Sequence, residues 1–235
     1  MRRPTDDEFW GAEKPRSVAD VLTNLRRVAE ARDADPVARA KRDEVAARAA
    51  REDAAWERKR RHELRAQRLE GVAITEDDVS ILVAGEPRET RSLCAVRDWD
   101  PLARPVLVLC GTVGRGKTFA GAWLLAELGG RYMRARALER LFHGRYGEQA
   151  DEQDVLFRVP TLVVDDLGRE DDPQRMTAVL LDLVDERRRG HRTLLIHNGS
   201  KRAFLESYAD LRLRSRLGQS ALWVQDRGED LRGGR

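Results

Sequence analysis

Short apolar runs alternate with amphipathic segments from Gly71 to the end of the chain. The runs lie at 106–110, 132–133, 161–164, 193–196 and 221–224, and most of them have the length of a strand that is buried on both faces. The segments between them place apolar residues three and four positions apart, as in a helix with one buried face. This alternation predicts an α/β fold with a mainly parallel sheet and helices on both of its faces.

The boundaries of several helices follow from capping residues and helix breakers. Thr75 and Thr90 are suitable caps, and Pro87 and Pro101 end the segments that follow them. Further helices are predicted over Lys117–Leu128, from Leu138 onward and over 176–184. The polar stretch 144–154 lacks a helical pattern, and we predict that it is a loop.

The first 70 residues differ in composition and are predicted to form a separate helical region. Apolar residues have helical spacing over 17–31, and 37–69 is rich in Ala, Arg and Glu without Gly or Pro. The long second helix lacks a wide apolar stripe, and its end is locally basic. We interpret residues 1–70 as a region that docks on a partner protein, although a solvated helix face has the same pattern. Residues 71–235 are predicted to form the second domain.

Composition excludes some classes of protein. Of the 235 residues, 44 are basic and 41 are acidic, which leaves a formal charge of +3 and a pI near 9.1. This balance permits nucleic-acid binding without requiring it. Two cysteines, Cys94 and Cys110, are too few for a zinc site of their own, and no apolar run is long enough to cross a membrane. Because no leader sequence is recognisable, we expect a protein of the reducing cytoplasm without a membrane partner.

The first apolar run leads into a glycine-rich loop with the spacing Gly-x-x-x-x-Gly-Lys-Thr. The backbone amides of such a loop, at the start of a helix, form a cradle for phosphate oxygens. Lys117 is expected to reach the outer phosphates, and the hydroxyl of Thr118 is expected to bind Mg²⁺. The succession of strand, loop and helix therefore predicts a site for ATP and Mg²⁺. The candidate nucleotide-binding residues are Gly111, Thr112, Val113, Gly114, Arg115, Gly116, Lys117, Thr118 and Phe119.

Polar side chains follow the next two long apolar runs. Asp165 and Asp166 end one of them, and Asn198 follows the other. In phosphate-loop enzymes an acidic residue at a strand end holds Mg²⁺, and its neighbour can orient or polarise the attacking water. We therefore expect Asp165 to serve the metal and Asp166 to serve the water. Asn198 can contact the terminal phosphate and the water; alternatively, it caps the helix that starts near Ser200.

Three arginines alternate with other residues in the segment 211–217. An ordinary solvated helix has this pattern. In an ATPase, however, an arginine near a subunit boundary can stabilise charge on the nucleotide of a neighbouring subunit. This segment is the main reason in the sequence to expect a self-oligomer.

Together these motifs resemble the AAA+ ATPases of the bacterial DnaC-type helicase-loader group, which includes the IstB-type transposition ATPases. The resemblance extends from about Thr75 to the C-terminus and rests on GTVGRGKT, TLVVDDLG, LLIHNGS and LRSRL. It implies an AAA+ fold without a C-terminal lid, Asn198 as a phosphate sensor and Arg216 as an arginine finger that acts in trans. Arg214 is the alternative finger, and Arg232 is a candidate second sensor. Arg115 replaces a small residue of the group and adds a positive charge near the phosphates.

The resemblance also implies partners. A replicative hexameric DNA helicase is expected to bind the N-terminal helices, with slow, switch-like ATP hydrolysis in the second domain. Single-stranded DNA is expected to bind near Arg134, Arg136 and Arg140, with Phe142 and Tyr146 nearby, although a solvated helix with core aromatics has the same pattern. Two alternatives remain open: a transposition regulator that binds duplex DNA and a transposase, and a nucleotide-gated adaptor with negligible hydrolysis.

Overall fold

The computed structural model describes residues 18–34, 36–143, 150–187 and 190–226. Its helices are α1 (Val18–Ala34), α2 (Pro36–Arg68), α3 (Glu76–Ala84), α4 (Arg91–Arg97), α5 (Lys117–Leu128), α6 (Ala135–His143), α7 (Ala150–Arg158), α8 (Pro173–Glu186), α9 (Lys201–Ser207) and α10 (Leu211–Ser220). Its strands are β1 (Val106–Gly111), β2 (Arg131–Arg134), β3 (Thr161–Leu167), β4 (Arg192–His197) and β5 (Ala221–Asp226). Every strand that the apolar runs predict is therefore present.

The chain divides into two compact units between Lys59 and Arg60, and α2 contains this division. The end of α2 belongs to the second unit, where Arg65 forms an ion pair with Glu127 at 2.7 Å. Arg68 Nη1 donates to the carbonyl oxygen of Ala126 at 2.9 Å, so it satisfies the C-terminal end of α5. The functional boundary between residues 70 and 71 stays a prediction.

All five strands are parallel and form a single sheet in the order β2-β3-β4-β1-β5. This order places β1 between β4 and β5, and it places β3 between β2 and β4. The carboxyl ends of β1, β3 and β4 therefore meet at one edge of the sheet. In open parallel sheets, ligands bind at this edge, so the topology positions the candidate site.

Helices cover both faces of the sheet, as the sequence predicts. Along β1, Val106 and Val108 point into one apolar cluster and Leu107 and Leu109 into another, because successive side chains of a strand alternate in direction. The first cluster packs under α6, α7, α8, α9 and α10, and the second packs under α3, α4 and α5. In the part of the chain that the structure describes, no helix is both long and apolar enough to span a bilayer.

Two helix predictions need correction. The stretch 144–154 is not entirely a loop, since α7 begins at Ala150; residues 144–149 lie outside the described residues. The first half of α7 is polar and gave no helical pattern, whereas Leu156 in its second half is fully buried. The helix expected from Leu138 begins earlier, because β2 passes directly into α6 at Ala135.

One buried arginine holds the ends of three elements together. The side chain of Arg187, after α8, donates from Nε to the hydroxyl of Thr193 at 2.9 Å. Its other donors reach the carbonyl oxygens of Val159 at 2.8 Å, Arg192 at 3.0 Å, and also Leu156 and Phe157. Burial lowers the pKa of Arg187 to about 10. This guanidinium therefore satisfies carbonyl groups that the end of α7 and the start of β4 would otherwise leave unpaired.

Replacing Arg187 by methionine is expected to lower the free energy of unfolding by about 3 kcal/mol, because several buried carbonyls lose their donor. Urea unfolding followed by circular dichroism measures this change. Arg158→Met is the matched control, since the Arg158 side chain is 81% exposed, and it should change stability by less than about 0.5 kcal/mol. Equal losses in the two variants would contradict the role assigned to Arg187.

Candidate functional site

The glycine-rich loop connects the end of β1 to the start of α5. Gly116 has φ 78°, a left-handed conformation that favours glycine, and it directly precedes the first helical residue, Lys117. Gly111 has φ 150°, and a Cβ atom there would lie 2.6 Å from the carbonyl oxygen of Asp226. The loop therefore requires glycine at both ends, once for its backbone conformation and once for the close approach of β5.

Lys117 lies inside this loop. Its side chain is buried, and Nζ donates to the carbonyl oxygens of Gly111 at 2.9 Å and Thr112 at 2.7 Å. Burial lowers the pKa of Lys117, while the carboxylates of Asp165 and Asp226 act in the opposite direction. The structure thus brings a cation to the centre of the loop, where phosphate oxygens would replace its carbonyl partners.

Asp165 is a buried carboxylate at the end of β3. Its Oδ1 accepts from the backbone amide of Asp166 at 2.7 Å, and its Oδ2 accepts from the hydroxyl of Tyr132 at 2.9 Å. The hydroxyl of Thr118 lies close enough to lower the pKa of this carboxylate. Burial raises the pKa of Asp165, and the nearby Thr118 hydroxyl together with the two hydrogen bonds opposes that rise. The structure therefore brings together the two residues that the sequence assigns to the metal.

Thr118 and Asp165 suit Mg²⁺, because a hydroxyl and a carboxylate are the hard oxygen ligands that this ion prefers. Among the described residues, no group of three or more His, Cys, Asp and Glu side chains is arranged to hold a metal ion. Proteins often bind Mg²⁺ through one or two side chains together with substrate phosphates and water. The donor set is consistent with that mode.

Asp166 has an unusual backbone. It is the one non-glycine residue with a positive φ in the described chain, at 58°, and it is partly exposed at the edge of the sheet. Its Oδ1 accepts from Nδ2 of Asn198 at 2.9 Å. Such a conformation is costly for an aspartate and occurs where the surrounding structure imposes it, often at functional sites. The amide of Asn198 thus holds the carboxylate that the sequence assigns to the water.

Asn198 does not cap the helix that follows it. Ser200 is the cap of α9, and its Oγ accepts from the amide of Ala203 at 3.0 Å. The side chain of Asn198 is therefore free for the contact with Asp166.

The remaining residues of the loop differ in exposure. Nε of Arg115 donates to the hydroxyl of Thr112 at 3.0 Å, and Val113 is exposed. The side chain of Phe119 is buried in the apolar cluster beneath the loop, which leaves only its backbone for a ligand. Gly114 also has a positive φ, at 85°.

Neither candidate arginine finger has a free side chain. Nε of Arg216 lies 2.9 Å from Oδ1 of Asp185 on α8, and both side chains are partly exposed. Arg214 donates to the carbonyl oxygen of Leu205. Arg232 and Tyr146 lie outside the described residues. Phe142 is partly buried, with its ring edge-on to Phe157 at 5.9 Å between centroids, so it belongs to the core.

Sequence reasoning missed several residues around the site. Tyr132 on β2 donates to Asp165, and Glu139 on α6 accepts from the amides of Asp171 and Asp172 at 2.9 and 2.7 Å, which fixes the loop after β3. Behind the glycine-rich loop, the hydroxyl of Ser92 donates to Oδ2 of Asp226 at 2.6 Å, and both residues are buried. A polar residue at the end of a predicted strand was a usable signal for Asp226. The sequence gave no signal for Tyr132, Glu139 and Ser92, because their hydrogen-bond partners lie in distant parts of the chain.

The strand order, the glycine-rich loop after β1 and the acidic pair at the end of β3 define the class: a P-loop domain with the AAA+ fold. In the residues that the structure describes, β5 is the last element. No protein-family model and no curated protein sequence matches this chain.

Several solved structures are similar to the chain. A DnaI structure is 20% identical with a TM-score of 0.43, and the match covers 60% of this chain and 80% of DnaI. The DnaC helicase loader is 15% identical with a TM-score of 0.46, and the match covers 65% of this chain and 92% of the loader. AMPPCP-bound DnaA from Aquifex aeolicus is 16% identical with a TM-score of 0.46, and the match covers 68% of this chain and 50% of DnaA.

Proposed function

We propose that this protein binds ATP with Mg²⁺ and hydrolyses it. The observation that carries the proposal is the meeting of Lys117, Asp165 and Asp166 at one edge of the sheet, with Asn198 bonded to Asp166 at 2.9 Å. The loop amides and the ammonium of Lys117 bind the phosphates. Asp166 orients a water molecule and accepts its proton, while Asn198 keeps the carboxylate in place. Mg²⁺ held by Thr118 and Asp165 would neutralise charge on the phosphate oxygens.

Hydrolysis is proposed to depend on a second copy of the chain, through an arginine finger in trans. Support comes from the resemblance of the LRSRL segment and from the position of Arg216 on a partly exposed helix. In the single chain, the guanidinium forms an ion pair with Asp185. Because both side chains are partly exposed, this ion pair is weak enough to be exchanged for a phosphate of the neighbouring subunit.

Arg216→Ala is expected to lower ATP turnover by at least about a thousandfold at high protein concentration, because the transition state loses one compensating charge. Nucleotide affinity should not change, since the finger acts on the neighbouring subunit. Phosphate release over a series of protein concentrations, together with calorimetric ADP binding, measures both quantities. Arg214→Ala is the matched control on the same helix. If Arg214→Ala alone lowers turnover, the finger is Arg214; if neither variant does, the trans mechanism is wrong.

We further propose that the protein is a helicase loader of the cytoplasm, and that the N-terminal region 1–70 binds a replicative hexameric helicase. The motif set supports the group, and α1 supports the docking role. Val18, Leu22 and Leu25 follow one another at helical spacing on α1, and they are 76%, 61% and 45% exposed. A helix with an exposed apolar stripe is suited to binding in a groove of a partner protein.

Affinity capture from lysate of the source cells, with ATP present, tests the loader proposal. Leu22→Glu places a charge in the apolar stripe of α1, and Thr23→Glu places the same charge on an exposed neighbouring position. Recovery of a replicative helicase with the wild type and with Thr23→Glu, but not with Leu22→Glu, supports the proposal. Recovery of a transposase together with duplex DNA would assign the chain to the transposition regulators instead.

Single-stranded DNA is the third proposed partner. The basic residues at the end of β2 and on α6 support it, since Arg134, Arg136 and Arg140 are all exposed. Base stacking on Phe142 is not part of the proposal, because that ring packs against Phe157. The affinity is therefore expected to come mainly from phosphate contacts and to fall steeply with salt concentration.

A further inference from the structure

Strand β3 has a bulge at the position of the two candidate carboxylates. Val164 pairs with Leu195 of β4, and the next pair joins Leu167 to His197, so two residues of β3 stand opposite one residue of β4. Asp166, with its φ of 58°, lies in this bulge. A bulge bends its strand and redirects a side chain. The direction of the Asp166 carboxylate therefore depends on the contacts that fix the bulge.

A tyrosine and a glutamate fix the backbone that leaves the bulge. The amide of Gly168 donates to the hydroxyl oxygen of Tyr208, the residue after α9, at 2.9 Å and to Oε2 of Glu170 at 2.8 Å. The hydroxyl of Tyr208 in turn donates to Oε1 of Glu170 at 2.6 Å. The amide of Arg169 donates to the carbonyl oxygen of Asp166 at 3.1 Å. The turn that follows Asp166 is thus connected to the end of α9.

Tyr208 is itself firmly placed in the core. Its side chain is fully buried, and its ring packs against the ring of Phe204 with the centroids 4.7 Å apart. The ring of Phe204 lies edge-on to that of His197, at the end of β4, at 5.5 Å. Burial raises the pKa of Tyr208 above its usual range, and the hydrogen bond with Glu170 acts in the same direction. The hydroxyl therefore keeps its proton and remains a donor to Glu170.

We propose that Tyr208 is a positioning residue, which keeps the carboxylate of Asp166 in the direction that it needs to accept a proton from water. The proposal rests on the proposed function, since it takes Asp166 as the general base. An aspartate in the left-handed conformation persists only where the surrounding structure imposes that conformation. Tyr208 supplies such a constraint from a distant part of the chain, 40 residues beyond Gly168.

The other contacts of this loop do not replace the hydroxyl of Tyr208. Glu170 belongs to the same loop as Gly168, so its hydrogen bond alone does not connect the bulge to the core. Glu139 accepts from the amides of Asp171 and Asp172 and therefore fixes the far end of the loop. Without the hydroxyl, the residues next to the bulge gain freedom, and Asp166 spends less time in the catalytic direction.

The test uses Tyr208→Phe in the full chain, which removes the hydroxyl and keeps the buried ring. The variant should lower kcat for ATP at least about tenfold, because a small displacement of a catalytic group is costly. KM and the affinity for ADP should not change, since Tyr208 does not contact the glycine-rich loop. Trp99→Phe is the matched control: it removes the hydrogen bond of a buried ring to the carbonyl of Arg104 on the other face of the sheet, and its kcat should equal that of the wild type. Thermal unfolding shows whether both variants are folded.

A combination with Asp166→Asn distinguishes positioning from a general effect on the fold. In the Asp166→Asn background, Tyr208→Phe should cause no further loss of turnover, because no base is left to position. An equal loss in both backgrounds would overturn the proposal. So would a wild-type kcat in Tyr208→Phe when Asp166→Asn is impaired.

Amide hydrogen exchange, followed by NMR without nucleotide, separates this proposal from the proposed function. The amides of Asp166 and Gly168 should exchange at least about tenfold faster in Tyr208→Phe than in the wild type or in Trp99→Phe, because the local structure opens more easily. If Asp166→Asn hydrolyses ATP like the wild type, the proposed base is wrong, and faster exchange would still show that Tyr208 fixes the bulge. Unchanged exchange would overturn the role of Tyr208 whether or not the protein hydrolyses ATP.

Discussion

Replacing Lys117 by alanine is expected to abolish measurable binding of ATP and ADP. The ammonium is buried and is held by the carbonyl oxygens of Gly111 and Thr112, so it already lies where phosphate oxygens would bind. Charge-assisted hydrogen bonds contribute about 1.5–3 kcal/mol each, and the loss of two of them weakens binding at least about a hundredfold. Isothermal titration calorimetry with ADP and with a non-hydrolysable ATP analogue measures the change.

The control for Lys117→Ala is Lys201→Ala, which removes an exposed lysine that lies over the ring of Trp223. This variant should bind nucleotide like the wild type. The truncation of Lys117 also leaves two loop carbonyls without a donor, so urea unfolding must show that the variant is folded before affinities are compared. Wild-type affinity in folded Lys117→Ala would contradict the assignment of the phosphate loop.

Asp166→Asn is expected to lower ATP turnover about a thousandfold while nucleotide affinity is kept, because the amide cannot accept a proton from water. The substitution removes the charge and the basicity of the side chain but keeps its shape. Asparagine tolerates the left-handed conformation of this position, and its amide oxygen can still accept from Asn198. The loss of turnover therefore cannot be attributed to backbone strain or to a lost contact. Single-turnover phosphate release with saturating protein gives the rate of the chemical step.

Asp165→Asn provides the comparison for Asp166→Asn. It should weaken the Mg²⁺ dependence of nucleotide binding as well as turnover, because Asp165 is assigned to the metal. If Asp166→Asn and the wild type hydrolyse ATP at equal rates well above background, Asp166 is not the general base. A wild type with no turnover in the presence of DNA and at high concentration would favour the nucleotide-gated adaptor.

The parts of the site that could be predicted lie in continuous segments with a local physical reason. The loop from Gly111 to Thr118 has a fixed spacing of glycines, and its position between a strand and a helix can be read along the chain. The acidic pair Asp165 and Asp166 follows a buried strand, and Asn198 follows another. Parallel strands carry their carboxyl ends to the same edge, so the approximate meeting of these residues could also be expected.

The parts that could not be predicted depend on which distant segments come into contact. Tyr132 looks like a strand residue until β2 pairs with β3 and brings its hydroxyl to Asp165. Arg187 looks like a basic residue at a helix end, yet it is buried among carbonyls of α7 and β4. The first half of α7 is polar, so the sequence did not indicate a helix there. Its second half nevertheless places Leu156 in the core.

By itself the sequence determined the class of chemistry, because the conformational freedom of glycine and the charge of Lys117 are local properties. It also determined the parallel sheet, since period and length of apolar segments decide which elements form. Only the tertiary structure decided the strand order, the ion pair of Arg216 with Asp185 and the contact of the Tyr208 hydroxyl with the amide of Gly168. These features arise from pairing between strands and helices far apart in the chain. Such pairing is selected by the fit of whole faces, which no single segment encodes.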